Sequence, residues 1–234
     1  MPPYSVEFLG SLGNAARSSA RVVVPLVMDL VRPRSVIDVG CALGTWLSVF
    51  HEAGVDEVRG VDGDYVDTSL LEIPPGLFTA HDLAGPMPRL GRFDLAMSLE
   101  VAEHLPPASA PVLVDSLVHH APVVLFSAAV PFQGGEGHVN EQWPQYWASL
   151  FHERGFRVVD CLRREIWSHP AVNWWYAQNL LLFVEAEHLQ RHPRLLAEHA
   201  RTSVRQLALV HPRSYLSLVE QLDELKAKPA APAR

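Results

Sequence analysis

Apolar residues at helical spacing, Ala15, Val22, Val23, Leu26 and Leu30, predict a helix over Asn14–Val31, with Asn14 as its cap and Pro33 as its stop. Beyond it, short β-rich runs alternate with helical segments, the pattern of a parallel sheet with crossover helices. The strands predicted are Ser35–Val39, Glu57–Val61, Phe78–Ala80, Phe93–Ser98, Val123–Ala128, Phe156–Leu162 and Asn179–Val184. Helical stretches fall near Gly44–Ala53, Tyr65–Leu71, Ala108–His119 and Glu141–Arg154. Arg163 to Gln178 reads as an aromatic-rich loop, so the last two strands are expected to close a mostly parallel sheet as an antiparallel hairpin. After Val184 the pattern predicts two amphipathic helices, Glu187–Leu209 and Tyr215–Leu225, parted by His211-Pro212 and placing Thr202 and Ser203 mid-helix. Lys226–Arg234 has no apolar partner and reads as a frayed tail. The expected division is an N-terminal helical cap over 1–33, an α/β domain over 34–185, C-terminal helices over 186–227 and a flexible tail over 228–234.

Composition narrows the function. With 48% hydrophobic and 19% charged residues among 234, the chain reads as a globular domain and not as a disordered one. No apolar run reaches the roughly 18 residues of a membrane span, and the start Met-Pro-Pro-Tyr has no basic n-region, so a cytoplasmic protein without a membrane partner is expected. Two cysteines, Cys41 and Cys161, build neither a disulfide framework nor a thiolate metal site. A net charge of −7 with scattered basic residues argues against nucleic acid and for a small-molecule partner.

Residues 35–47 read Ser-Val-Ile-Asp-Val-Gly-Cys-Ala-Leu-Gly-Thr-Trp-Leu: a buried strand, a tight turn holding Gly40 and Gly44, then a helix. Glycine there permits positive φ and leaves backbone bare for a ligand. Asp38 precedes the turn, and Gly60-Val61-Asp62 ends the next strand. An acidic residue about 20 positions on, at the tip of the second strand, is where a ribose diol is held. Asp62 occupies that place, and its carboxylate accepts two hydroxyls while repelling a 2′-phosphate. The missing third glycine argues against a nicotinamide dinucleotide.

These segments resemble the class I S-adenosylmethionine (SAM)-dependent methyltransferases over roughly Arg34–Glu185, which implies a Rossmann-like α/β fold of seven strands and SAM as cofactor. Asp38-Val-Gly-Cys-Ala-Leu-Gly resembles the family's first motif, with Ala42 where glycine is usual, and Asp62-Gly63 its ribose motif. His81-Asp82-Leu83 resembles the adenine motif, with Asp82 facing the exocyclic amine and Leu83 offering backbone. Phe93–Leu105 resembles the fourth strand and its exit loop, placing Leu99 and Glu100 at the cofactor. The resemblance thus implies Asp38, Gly40, Ala42, Gly44, Asp62, Gly63, Asp82, Leu83, Leu99 and Glu100 as cofactor-binding residues.

The sulfonium is then expected near Glu100, the loop after Val130 and the aromatics around Trp174. Its methyl is already activated, so alignment and water exclusion carry most of the catalysis, with a base for a hydroxyl acceptor. His104 is the first base candidate; it also reads as a histidine closing the turn before Pro106-Pro107. Glu100-x-x-Glu103-His104 with His138 is an oxygen and nitrogen set suited to a divalent cation. It resembles the Glu-x-x-Glu-His…His pattern of small-RNA 2′-O-methyltransferases and some quinone-biosynthesis methyltransferases, while metal-free relatives carry a similar Glu-His-Leu. Gly134–Trp147 is a glycine-rich loop entering an aromatic helix, in which Asn140 either caps the helix or orients an acceptor with His138. Tyr176 offers a hydroxyl and a π face to a cation, or packs in a hairpin core beside Trp174 and Trp175.

Methyl transfer to a small-molecule oxygen or nitrogen, as in bacterial secondary metabolism, is the first reading. The second has SAM as sole substrate: its α-amine attacks its own γ-carbon, closing an azetidine ring and releasing methylthioadenosine. Asn140, Tyr176 and Ser203 resemble residues of such azetidine-2-carboxylate synthases. A non-catalytic SAM-binding subunit is the third. The C-terminal helices are expected to cover the site from one side, Tyr4 and Phe8 from the other. Whether the helices instead form a homodimer interface stays open.

Overall fold

The computed structural model describes residues 6–227, with side chains described from 15 to 226; Tyr4 and the side chain of Phe8 therefore lie outside the described residues. In chain order the elements are α1 (Val6–Leu30), β1 (Ser35–Val39), α2 (Thr45–Glu52), β2 (Glu57–Asp62), β3 (Phe78–Ala80), β4 (Leu95–Leu99), α3 (Ala110–His120), β5 (Val123–Ser127), α4 (Pro144–Glu153), β6 (Phe156–Val159), α5 (Arg163–Ile166), α6 (Trp174–Asn179), β7 (Leu181–Glu185), α7 (Ala186–Gln190), α8 (Pro193–Arg201) and α9 (Pro212–Ala227). The seven strands form one sheet in the order β3-β2-β1-β4-β5-β7-β6. Every pairing is parallel except those of β7, which runs antiparallel to both β5 and β6.

Alternating side chains explain why both faces are covered. On β1 and β4, Val36, Leu95 and Met97 enter one core together with Val23, Val27 and Phe50 of α1 and α2. Ile37, Val39 and Ala96 enter the other, with Leu113 and Leu117 of α3 and Phe151 of α4. Such strands read as continuous apolar runs because neither face meets water. From β1 the chain builds outward to β2 and β3, then returns to add β4 and β5 on the other side. A crevice therefore opens where β1 and β4 end side by side, the position at which open α/β sheets bind ligands.

Four expected elements differ. Helix α1 starts at Val6, so Asn14 lies inside it. Tyr65–Leu71 is not a helix: only a single 3-10 turn, Thr68–Leu70, forms there, capped by Asp67 accepting from the Ser69 N–H at 2.9 Å. Arg163–Gln178 is not a loop but carries α5 and most of α6, and Asn179 ends α6 instead of opening a strand. The single helix expected over Glu187–Leu209 breaks into α7 and α8, because Pro193 has no N–H for a helical bond and serves as a first-turn residue. Helix α8 ends at Arg201, so Thr202 and Ser203 follow a helix and are not mid-helix residues. At the far end α9 runs on to Ala227. Among the described residues no helix is long and apolar enough to cross a membrane.

Candidate functional site

The crevice is a cavity of about 690 Å³, within the range of roughly 300–1,000 Å³ typical of small-molecule sites. Its first wall is the turn after β1. Gly40 has φ +90°, and a Cβ there would lie 2.3 Å from a Val101 methyl, so both backbone and space demand glycine. Ala42 takes the left-handed region without being glycine, at φ +47°. Its N–H donates to Asp62 Oδ2 at 2.7 Å, a bond that ties the turn to the tip of β2. Asp38 is 3% exposed, and burial, then the neighbouring Asp62, pushes its carboxyl well above the usual range. Gly63, Asp82 and Leu83 line the cavity along the sheet's β2–β3 side. The Asp82 carboxylate accepts from the Ala84 N–H at 3.0 Å, which fixes its turn.

Leu99 and Glu100 line the cavity from the end of β4. Glu100 also sits at positive φ, +55°. Its side chain accepts from Asn179 Nδ2 at 3.1 Å and Gln133 Nε2 at 3.0 Å. Burial raises its pKa while these amide donors pull it back. One 3-10 turn further, Glu103 is fully buried and neither carboxylate oxygen has a hydrogen-bond partner. Burial, and then Glu100, push Glu103 well above the carboxylate range. His104 Nδ1 is likewise buried without a partner, and burial followed by His138 lowers its pKa. The His104 and His138 rings meet edge-on at 4.8 Å. His138 Nδ1 pairs with Glu141 at 2.9 Å, and Glu141 also accepts from the Phe132 and Gly134 N–H groups. Ligand atoms of Glu103, His104 and His138 all lie within 4.8 Å of one another. Such a carboxylate and two imidazoles, one oriented by a second carboxylate, suit a divalent transition metal.

Opposite them, α6 presents Trp174, Trp175 and Tyr176 to the cavity. Tyr176 is buried edge-on against Trp46 at 5.2 Å, and burial raises its phenol. Six carboxylates, Asp38, Asp62, Asp82, Glu100, Glu103 and Glu136, line the cavity, and no Lys or Arg does among the described residues.

Three expected site residues stand elsewhere. Gly44 does not line the cavity; at φ +79° it is the residue that opens α2. Asn140 is 2% exposed and off the cavity wall. It neither caps α4, where Trp143 holds the N-cap, nor faces a ligand. Its Nδ2 donates to the Ala102 carbonyl at 3.3 Å and its Oδ1 accepts from Gln142, so it holds the loop against the turn bearing Glu103. Ser203 is exposed and outside the cavity. Among the described residues none after Tyr176 lines the cavity, so α7, α8 and α9 do not cover it; Ala16 of α1 does reach it. Instead Arg194 of α8 pairs with Asp29 of α1 at 2.6 Å, behind the site. Gln133, Asn179 and Glu141 were not singled out as site residues by sequence reasoning. Gln133 directly precedes the glycine-rich loop, which is the one local signal for it.

The model of the methyltransferase domain family matches residues 14–161, more than half of the chain. The chain belongs to that family. Its fold and motifs are those of the SAM-dependent class I methyltransferases, with SAM as the cofactor. No curated protein matches the sequence. Among solved structures, human N-acetylserotonin methyltransferase in complex with SAM is similar over 76% of this chain and 55% of its own, at 14% identity and TM-score 0.55. The chain thus spans about half of that protein's length. The methyltransferase domain of bacterial CtHen1 is similar over 74% of this chain and 99% of its own, at 16% identity and TM-score 0.55. The sugar N-methyltransferase KedS8 from Streptoalloteichus sp ATCC 53650 matches over 72% and 87%, at 14% identity and TM-score 0.57.

Proposed function

We propose that this methyltransferase moves the methyl of SAM to an oxygen or nitrogen of a small, neutral or basic molecule, in the cytoplasm and within bacterial secondary metabolism. The observation that carries the reading is that Glu103, His104 and His138 stand on one cavity with Asp38 and Asp62. Asp62 would hold the ribose of SAM and Asp82 its adenine, with Glu100 and the aromatic wall of α6 left to face the sulfonium end. An acceptor between the sulfonium and His104 attacks the methyl carbon in line; the new bond forms as the S–C bond breaks, S-adenosylhomocysteine leaves, and a hydroxyl proton passes to His104. The carboxylate-lined wall disfavours phosphate-bearing acceptors, and the similarity to a sugar N-methyltransferase supports an amine or hydroxyl on a small polar molecule.

A divalent cation at Glu103, His104 and His138 is a second reading, favoured by the unpartnered Glu103 oxygens. When bound it would supply Lewis acidity toward an acceptor oxygen. Added Mn²⁺ or Zn²⁺ is then expected to raise the melting temperature of the wild type and leave Glu103→Gln unchanged; equal effects on both remove the metal from the picture.

The deciding experiment incubates the protein with SAM, alone and with amino-sugar, catechol and amine acceptors, and follows products by mass spectrometry. S-adenosylhomocysteine with a methylated acceptor is the expected result. Methylthioadenosine and a cyclic amino acid from SAM alone would replace methyl transfer by the intramolecular reaction, for which Tyr176 beside the cavity is the remaining structural support.

A further inference from the structure

Asp62 is 4% exposed and its carboxylate receives three donors. Oδ2 accepts from the Ala42 N–H at 2.7 Å, and Oδ1 accepts from both the Gly63 N–H at 2.7 Å and the Tyr65 hydroxyl. A carboxylate offers about four lone-pair sites, and a ribose diol brings two hydroxyl donors. One site remains for two donors, so one of the three present must leave. The two backbone donors are fixed by the turn after β1 and by the end of β2. The third sits on a side chain that is 54% exposed, in a segment with no helix to hold it. Its ring lies so close over Gly63 that a Cβ there would fall 2.1 Å from Tyr65 Cε1; only glycine at that position lets the ring fold back onto Asp62.

We propose that the Tyr65 hydroxyl competes with a ribose hydroxyl for Asp62, so that Tyr65 acts as an internal competitor that sets the protein's affinity for its cofactor. This rests on the reading that Asp62 receives the ribose. Binding proceeds only from the fraction of molecules in which Tyr65 has turned away, and the apparent affinity is reduced by that fraction. Tyr65 is thereby an affinity-tuning residue whose removal helps the ligand, the opposite of a residue that contacts it.

The test is calorimetric titration of the wild type and Tyr65→Phe with S-adenosylhomocysteine, adenosine and 2′,3′-dideoxyadenosine. Tyr65→Phe is expected to bind the first two about three- to tenfold more tightly, the range for the net worth of one hydrogen bond. It should bind the dideoxy compound no better than the wild type does, because that ligand has no donor for Asp62. Weaker or unchanged binding of S-adenosylhomocysteine by Tyr65→Phe overturns the proposal, as does an equal gain for the dideoxy compound. If the wild type binds adenosine and its dideoxy analogue equally, the ribose assignment of Asp62 itself falls. If neither protein binds S-adenosylhomocysteine, the cofactor reading falls and takes this one with it.

Discussion

With Asp62 as the proposed ribose residue, two charge-assisted hydrogen bonds are at stake, each worth about 1.5–3 kcal/mol. Asp62→Ala is therefore expected to weaken SAM binding at least about 100-fold by calorimetry; unchanged affinity would refute the cofactor assignment. His104→Ala should lower kcat about 100-fold or more with little change in the KM for SAM, in line with the loss of a general base; an equal loss in both would make His104 a binding residue. Asp38, Gly40 and Asp62 were legible in the sequence because each has a fixed station at the end of a buried strand, where spacing determines direction. Asn140 and Ser203 were not, since both lie in irregular segments where spacing says nothing about which way a side chain points. Gln133 and Asn179 escaped notice because amides add nothing to hydrophobic periodicity, and what makes them matter is a fold that brings both onto Glu100.

Among the elements, the turn after β1 stores local strain at Ala42, whose φ of +47° suits glycine. A non-glycine residue in this region costs about 1 kcal/mol or slightly more, partly offset by the entropy glycine adds to the unfolded chain. Ala42→Gly is expected to stabilise the fold by about 0.5 kcal/mol in denaturant melts; clear destabilisation would show that the methyl is a packing contact. The strands were readable as apolar runs, and so was the antiparallel arrival of β7. The helices α5 and α6 were not, because each is shorter than the two turns that periodicity needs. What holds them is tertiary: Arg163, 1% exposed, pairs with Asp160 and donates to the carbonyls of Gln178 and Leu207 at 2.9 and 2.8 Å. Arg163→Ala is expected to cost about 3 kcal/mol, as for other broken buried pairs, and to loosen the aromatic wall that α6 presents. A loss below about 1 kcal/mol would show that α5 and α6 are held by packing alone.

For the molecule as a whole, the topology places the candidate catalytic and cofactor residues from β1, β2, β4, the loop after β5 and α6 on one crevice, an arrangement that a period-based reading anticipates in outline. The carboxylate wall has a consequence for turnover. SAM carries one net positive charge and S-adenosylhomocysteine none, so whichever carboxylates of that wall are ionised are expected to hold the donor more strongly than the spent one. Each methyl transfer is thus expected to lower the attraction between protein and cofactor at the moment when departure is required, read as weaker binding of S-adenosylhomocysteine than of SAM. Salt should raise the KM for SAM while leaving the inhibition constant of S-adenosylhomocysteine nearly unchanged. Because a cation favours ionised Asp38, SAM affinity should also rise with pH through that group's raised pKa, with S-adenosylhomocysteine following less. Parallel salt and pH responses of the two ligands would contradict this. Where they diverge, exchange of spent for fresh donor is driven by charge rather than by a moving lid.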